Sequence, residues 1–527
     1  MSIELNFFNW ILALAPVLII LVLMLVFRWG GSRAGAVSWF AAIAIAMLFF
    51  GAGLRLVAYA QAKAVLLSLD VLYIIWTALL LFHTADQAGA VRVIGLTLPR
   101  LTADRTMQGL LIGWLFASFL QGMGGFGVPV AVAAPLLVGL GFHPVQAVVM
   151  ACIGHGWAVN YGSLATSFQT LMAVTGLPGE LLAPDSAWLL GLSCYACGAI
   201  VALVAGGWKG LLRSLPAVAV LATIMAVSQY LLAVNGLWNL GATGSAMLGL
   251  LAGFGLCRLP FYRGGSGGKA SAQANFGGLN GGDGKPRSLL VSVSAYAVLV
   301  LITFAVNLIQ PLNAFLDQVQ INLNFPELTT ALGFSTPAGP GRALNLFGHT
   351  GSILLYSSLI AYFIYKRAGY YQPGAAIRIA DKMVKGAVNS SLGILAMVGM
   401  AVVMSHAGMT NLLALGMSRS FGREAYPLVA PFIGGLGAFI TGSNNNANVL
   451  FAVLQMRTAE LLGLSVPLIL GAQTAGGSLG SIMAPAKVLV GCSTVGLSDQ
   501  EGRVMAQVIR YGLAPIALVA LATWLAA

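Results

Sequence analysis

The stretch FITGSNNNANVLF, residues 439–451, places a run of uncharged polar side chains between apolar segments. The chain around it has 527 residues, of which 59% are hydrophobic and only 8% are charged. Interrupting an apolar helix frees backbone N–H and C=O groups, and each freed group that faces lipid costs several kcal/mol. The stretch therefore predicts a turn inside a membrane, at a place where the backbone faces protein, water, an ion or a substrate.

The remaining apolar runs determine the class of protein. About a dozen of them approach the roughly 20 residues that an α-helix needs to cross a bilayer, which predicts an all-α polytopic membrane protein with about 12 transmembrane helices. The first run, residues 10–27, is too long for the core of a signal peptide and is expected to remain as a helix. The net charge of +12 comes mostly from Lys and Arg in a few loops, as membrane topology requires, so we expect no nucleic-acid partner.

The basic loops predict the orientation of the helices. Clusters of Lys and Arg follow the apolar runs that end near residues 27, 82, 206, 258 and 365, and such clusters mark the cytoplasmic side. Acidic or neutral loops lie between them, although Arg55 and Lys63 on an outer loop do not fit this pattern. Both termini are therefore predicted to lie on the periplasmic or extracellular side.

Two apolar segments can keep this alternation only if each enters and leaves the membrane on the same side. They are residues 107–142, interrupted by QGMGGFGVP, and residues 425–464, interrupted by TGSNNNAN. We predict that both are re-entrant helical hairpins. Each is followed by a polar span of Gly and Ser, residues 145–177 and 465–497, which is predicted to be a crossing helix unwound in its middle.

The order of these elements predicts an inverted repeat, the plan of many secondary transporters. Residues 1–206 form the first unit, with three helices, the hairpin 107–142, the broken helix 145–177 and one more helix. Residues 289–527 repeat this order with the hairpin 425–464 and the broken helix 465–497. Residues 207–288 join the two units through linking helices and a Gly-rich cytoplasmic loop.

The hairpin tips and broken helices are predicted to meet near the membrane midplane and to bind a small anion. Helix N-termini freed there present N–H donors and partial positive charge to a carboxylate. The candidate binding residues are Gln121, Gly122, Gly124, Gly125, Phe126, Gly127, His155, Asn160, Tyr161, Ser163, Thr441, Gly442, Ser443, Asn444, Asn445, Asn446, Gln473, Thr474, Gly476, Gly477 and Ser478. The alternative is that these polar groups only satisfy one another and hold the hairpins closed.

Ionisable side chains inside the membrane are costly and usually functional. Asp70, His155 and His349 are the candidates for proton coupling, and the alternative for each is a structural polar contact inside the bundle. Lys487 is the candidate for neutralising a bound anion, and its alternative is to extend its ammonium group toward the cytoplasmic surface. No catalytic triad, metal-ligand spacing or nucleotide motif is present, so we expect neither an enzyme nor a cofactor.

Three segments make the sequence resemble the bacterial L-lactate permease family: residues 119–142, 437–455 and 473–497. The resemblance implies proton-coupled uptake of lactate, glycolate and similar 2-hydroxymonocarboxylates across the bacterial inner membrane. It also implies an ion-transporter-like fold with an elevator-type movement. A homodimer is expected only by analogy with such folds.

Two positions depart from the family pattern. Gln121 and Asn444 stand where lactate permeases often carry Glu and Asp, and an amide cannot bind and release a proton. These amides motivate an alternative prediction, in which the substrate is a dicarboxylate or a sulfonate, or in which Na⁺ replaces H⁺ as the coupling ion. A passive channel is a further alternative, which unsaturable flux would identify.

Overall fold

The structure is a computed structural model that describes residues 4–27, 29–97, 102–125, 127–262, 287–341, 344–497 and 500–527. Most of the described residues are helical. The predicted hairpin-tip residue Phe126 and most of the Gly-rich loop lie outside the described residues.

The first part of the chain folds into eleven helices. Their bounds are α1 Phe7–Leu25, α2 Gly31–Phe49, α3 Leu54–Gln87, α4 Ala90–Thr97, α5 Arg105–Leu110, α6 Ala117–Met123, α7 Val128–Gly139, α8 Pro144–Gly154, α9 Gly162–Thr175, α10 Gly179–Val234 and α11 Gly241–Cys257. A π-helical turn, Leu111–Phe116, joins α5 to α6, and short 3₁₀ turns lie at Gly156–Ala158, Trp238–Leu240 and Pro260–Tyr262.

The second part folds into nine helices and six very short strands. The helices are α12 Leu289–Leu308, α13 Gln310–Leu316, α14 Thr350–Arg367, α15 Ala375–His406, α16 Met409–Thr441, α17 Asn444–Leu462, α18 Val466–Ile482, α19 Pro485–Thr494 and α20 Glu501–Ala526. The strands are β1 Gln320–Ile321, β2 Asn324–Phe325, β3 Leu328–Thr329, β4 Ser335–Thr336, β5 Gly339–Pro340 and β6 Leu344–Asn345.

Nine helices among the described residues are long and apolar enough to cross a membrane, or ten if the bent pair α12–α13 counts as one span. The sequence predicted about 12 spans. The hairpin arms α5, α6 and α7 and the half-helices α8 and α9 are each shorter than a span. Conversely, α10 counts once although its backbone leaves helical geometry at Gly207.

The strands were not predicted, and they correct the all-α expectation. They pair as β1–β6, β2–β5 and β3–β4, all antiparallel, and so form one long ribbon between α13 and α14. The ribbon tip contacts the connection between α2 and α3, since the Ala331 N–H donates to the Gly51 carbonyl at 2.8 Å. Because the ribbon takes up residues 344 and 345, α14 begins only at Thr350.

Both interrupted apolar segments turn back on themselves, and both polar spans are broken. The first hairpin runs through α5 and α6 and returns through α7, and the second runs through the end of α16 and returns through α17. Helix α9 begins after a turn that follows α8, whereas the second break lies at Met483–Ala484, C-terminal to Gly476, Gly477 and Gly480. The opposite membrane orientation of the two repeats stays a prediction.

The apolar side chains form two cores. One joins α1, α2, α3 and α15 and includes one face of α17. The other joins the first hairpin, the two broken helices, α10, α11, α12, α14 and α20. The second hairpin therefore lies between the two cores, which places its polar tip where they meet.

Candidate functional site

The tip of the first hairpin packs against the first broken helix. Gly125 has a φ of +53°, and a Cβ atom at this position would lie 2.0 Å from Ser163 Oγ. Gln121 is 3% exposed, and its amide nitrogen would lie 2.8 Å from a Cβ atom on Gly162. Only glycine fits where backbone and side chain approach this closely. The tip is thus seated on the turn between α8 and α9.

We expect Gly125→Ala to destabilise the protein by about 1–3 kcal/mol, because the added methyl group overpacks this contact. Gly141→Ala is the matched control, since Gly141 also has a positive φ, of +83°, but open space around it. Thermal unfolding in detergent should show a clearly larger fall in Tm for Gly125→Ala than for Gly141→Ala. Equal losses would mean that backbone strain alone, and not the contact with Ser163, accounts for the effect.

The turn that receives this tip is strained. Ser163, Leu164 and Ala165 have φ values of 47°, 60° and 64°, so three consecutive residues adopt the left-handed conformation. This conformation costs roughly 1–2 kcal/mol for each residue with a side chain. Such strain persists only where surrounding structure imposes it, and it concentrates at functional sites.

Other predicted residues of the first broken helix point in different directions. Asn160 is directed to the second broken helix, whereas the Tyr161 hydroxyl lies 2.7 Å from Ser186 Oγ on α10. His155 is fully buried, and its Nδ1 donates to the Ala151 carbonyl at 2.7 Å. Its Nε2 atom is buried without a hydrogen-bond partner. Asn160 therefore joins the site, while Tyr161 stabilises the packing of α10.

Thr474, on α18, connects the second hairpin to both broken helices. Its hydroxyl donates to Asn160 Oδ1 at 2.7 Å and accepts from Asn444 Nδ2 at 3.2 Å and from Asn448 Nδ2 at 2.9 Å. A threonine hydroxyl has one proton and two lone pairs, so its bonding capacity is fully used. Asn444 also donates to Ser478 Oγ at 3.1 Å. The predicted residues Asn160, Asn444, Thr474 and Ser478 thus form one buried network.

Three other predicted residues hold helices together. Gln473 accepts from Gln455 Nε2 at 2.9 Å and donates to the Ala447 carbonyl, so it links α18 to α17. A Cβ atom on Gly476 would lie 1.9 Å from the Pro431 carbonyl oxygen, and one on Gly477 would lie 2.1 Å from Asn444 Oδ1. These residues therefore allow close packing of α18 against the hairpin rather than line an open space.

An open cavity of about 450 Å³ lies beside the network. It is lined by Gly30, Gly31, Ser32, Gly127, Gly393, Ile394, Thr441, Gly442, Ser443, Asn445, Asn446, Ala486, Lys487 and Val490. Both hairpin tips, α19 and the connection between α1 and α2 contribute to this lining. The cavity therefore combines the end of the first hairpin turn with most of the second hairpin tip.

Lys487 is the basic residue among the described residues that line the cavity. The residue is only 7% exposed, and its Nζ donates to Ser481 Oγ at 3.0 Å. No carboxylate of the described residues lies within ion-pair distance of this ammonium group. A buried charge without a partner is costly, so a bound anion would stabilise it. Asn446 Oδ1 and Asn445 Nδ2 are also buried without partners, which leaves polar groups for a ligand.

Asp70 and His349 lie apart from the cavity lining and pair with each other. His349 Nε2 is 3.0 Å from Asp70 Oδ1, and His349 Nδ1 accepts from the Gly351 N–H at 3.1 Å. This pattern makes Nε2 the donor to the carboxylate. Tyr73 stacks on the imidazole with 5.2 Å between the ring centroids. Two separately predicted residues therefore form one pair, and their role in proton coupling stays a prediction.

Comparison with known proteins identifies the family. The sequence model described as L-lactate permease matches residues 9–527, nearly the whole chain. The chain belongs to the L-lactate permease family. This membership makes it a multi-pass membrane transport protein and not an enzyme.

Curated relatives of this lactate permease family member share about a quarter of its residues. The L-lactate permease of Halalkalibacterium halodurans is 26% identical over 97% of this chain and 96% of its own. The glycolate permease GlcA of Escherichia coli is 26% identical over 98% and 95%, respectively. Among solved structures, the YdaH transporter of Alcanivorax borkumensis covers 90% of this chain and 87% of its own, at 15% identity and a TM-score of 0.48.

Several residues of this permease site were not predicted from the sequence. The backbone carbonyl of Ser167, on α9, accepts a hydrogen bond from Asn448 Nδ2 at 3.0 Å. The Ser167 hydroxyl donates a hydrogen bond to Asn445 Oδ1. Ser481 holds Lys487, and residues 30–32 line the cavity. Asn448 could have been predicted as a site residue, because it is a polar residue on the returning arm of a hairpin. Nothing in the local sequence distinguishes Ser167 or residues 30–32.

Proposed function

We propose that this chain is a secondary active transporter that takes up a small 2-hydroxymonocarboxylate, such as L-lactate or glycolate, together with a proton. The observation that carries the proposal is the buried side-chain nitrogen of Lys487, which lines the cavity without a carboxylate partner among the described residues. The names of the curated relatives, L-lactate permease and glycolate permease, support this substrate class. We place the protein in the bacterial inner membrane, with both termini on the periplasmic side.

The cavity suggests how such a substrate binds. The carboxylate pairs with Lys487, and the 2-hydroxyl group exchanges hydrogen bonds with Ser443 and Asn446 on the second hairpin tip. The volume of about 450 Å³ lies within the roughly 300–1,000 Å³ typical of small-molecule pockets. One cation in the described lining favours a monoanion, so we rank a dicarboxylate below lactate and glycolate.

The packing of the second hairpin supports an elevator-type movement. One face of α17 contributes Val449, Leu450 and Leu454 to an apolar contact with Met400 and Met404 of α15. A movement at this contact breaks no hydrogen bond between these side chains, because all of them are apolar. The cavity also contacts the connection between α1 and α2, which the basic residues assign to the cytoplasm, so we propose that the site opens to that side.

Uptake into proteoliposomes tests the function. Purified protein should take up labelled L-lactate and glycolate saturably, and an inward proton gradient should drive accumulation above the equilibrium level. Protein-free liposomes are the control for passive diffusion of the undissociated acid. Uptake that is equal with and without protein would refute the proposal.

The same assay separates the alternatives. Stronger competition by malate or methanesulfonate than by unlabelled lactate would assign a dicarboxylate or sulfonate as substrate. Accumulation that requires a sodium gradient would assign Na⁺ as the coupling ion. Flux that does not saturate, without counter-flow exchange, would indicate a channel.

A further inference from the structure

Lys487 lies both at the cavity and beside the break in the second broken helix. The residue lies in the first turn of α19, directly after the break at Met483–Ala484 that separates this helix from α18. Its hydrogen bond to Ser481 spans the break. The ammonium group is therefore buried at a backbone discontinuity and lines the cavity at the same time.

The surroundings of Lys487 contain few other titratable groups. His155 and Cys152 of α8 are close enough to interact with it electrostatically, and Cys492 lies on its own helix. Helix α7 and residues 441–446 of the second hairpin tip carry no titratable side chain. On α20, Glu501 interacts with Cys492, farther along α19. No acid of the described residues faces the ammonium group, so its charge is not fixed by a neighbouring carboxylate.

His155 and Asp70 are less suited to exchange a proton with the cavity. His155 is fully buried, uses Nδ1 on the Ala151 carbonyl, and does not line the cavity. Asp70 is bonded to His349 and also lies outside the lining. Gln121 and Asn444 are amides and cannot carry a proton. Among the described residues that line the cavity, Lys487 is the one whose side chain can bind and release a proton.

We propose that Lys487 carries the transported proton, as a neutral amine in the empty transporter and as an ammonium group when a carboxylate is bound. This inference rests on the proposed function. On loading, the amine lone pair takes a proton from water, and an N–H bond forms as the anion enters. On release, the anion leaves, the same N–H bond breaks, the electron pair returns to the amine nitrogen, and the proton passes to water on the cytoplasmic side.

The physical reason is the cost of moving a net charge through a low-dielectric interior. An empty site with an ammonium group, or a neutral site with a bound carboxylate, would carry an unpaired charge across the membrane, which costs several kcal/mol. The neutral amine and the ammonium–carboxylate pair both avoid this cost. Burial favours the neutral amine, whereas an adjacent carboxylate favours the ammonium form, and lysine changes protonation readily when buried. One proton and one monocarboxylate therefore move together.

Lys487→Arg separates charge from proton transfer, because arginine stays protonated throughout the accessible pH range. The variant keeps a positive charge beside the bound carboxylate, so whatever exchange of external for internal L-lactate it retains is the reference for its other activities. Relative to that exchange, accumulation driven by a proton gradient should fall far below the wild-type ratio. Net uptake by the variant should become sensitive to membrane potential, whereas wild-type uptake is expected to be insensitive to it. Gradient-driven accumulation by Lys487→Arg at the wild-type level would overturn the inference and leave the proposed function intact.

A measurement on the wild-type protein covers the case in which the arginine variant does not fold. Calorimetric titration with L-lactate in buffers of different ionisation enthalpy counts the protons taken up on binding. We expect proton uptake that approaches one per L-lactate at alkaline pH and falls toward zero at acidic pH. Binding without proton uptake at any pH would overturn the inference, whereas a wild-type protein that neither binds nor transports L-lactate would refute the proposed function itself.

Discussion

Replacing Lys487 with methionine should abolish L-lactate binding while leaving the fold intact. Removing one partner of a buried charge pair costs about 2–5 kcal/mol, which is a loss in affinity of roughly 30-fold to several-thousandfold. The Tm of the substrate-free protein should stay unchanged or rise, because methionine has a similar shape and needs no hydration in a buried position. The measurement is the change in Tm on adding L-lactate, for wild type and variant in the same detergent.

Lys209→Met is the matched control, because Lys209 is an exposed lysine on α10. This variant should retain the full change in Tm with L-lactate. If Lys487→Met still responds to L-lactate like the wild type, then Lys487 does not bind the carboxylate. A large fall in the substrate-free Tm would instead assign the residue a structural role.

Replacing Thr474 with valine should cause the second large effect, on stability as well as on transport. The substitution keeps the shape but removes the hydroxyl that bonds Asn160, Asn444 and Asn448. Each buried polar group left without its partner costs about 1–3 kcal/mol. We expect a fall in Tm larger than for most single substitutions and loss of L-lactate uptake in proteoliposomes.

Two controls accompany this prediction. Thr474→Ser keeps the hydroxyl and should retain most of the stability and uptake. Thr523→Val removes a buried hydroxyl that bonds only the Val519 carbonyl of its own helix, so it should change Tm little. If Thr523→Val lowers Tm as much as Thr474→Val does, the three-way network is not what stabilises the site.

The sequence predicted the hairpins because their interruptions are chemically distinctive. Glycines with Pro129 in the first hairpin, and TGSNNNAN in the second, cannot continue an apolar helix, and the chain turns at both places. Charge alternation then required that each segment reverse. This local signal needed no knowledge of the tertiary contacts.

The second break was harder to predict, because the glycines before it allow close packing of helices and do not interrupt one. Gly476 and Gly480 are spaced as small residues are at close helix contacts, and a Cβ atom on Gly480 would lie 2.1 Å from the Gly435 carbonyl oxygen. The chain breaks instead at Met483–Ala484, just before Pro485. A proline, which cannot donate the backbone bond that a helix interior needs, was the better signal.

Contacts between distant residues could not be predicted from one sequence. Asp70 and His349 are separated by 279 positions, and only the packing of α3 beside α14 brings them together. The lining residues 30–32 lie at the beginning of α2, where no polar motif marks them. The ribbon β1–β6 was missed because its two-residue strands are too short to show alternation.

The glycine contacts between α16 and α18 limit how the substrate site can open. Backbone atoms of the two helices touch at Gly434, Gly476 and Gly480, so neither helix can slip along the other without lifting away. If the proposed site opens, we expect the movement to hinge at the two breaks that end these helices, Gly442–Ser443 and Met483–Ala484. Residues 444–446 and Lys487 lie immediately beyond those hinges. Such an opening would be expected to separate Lys487 from the hairpin tip and to weaken the binding of the anion that we propose is held between them.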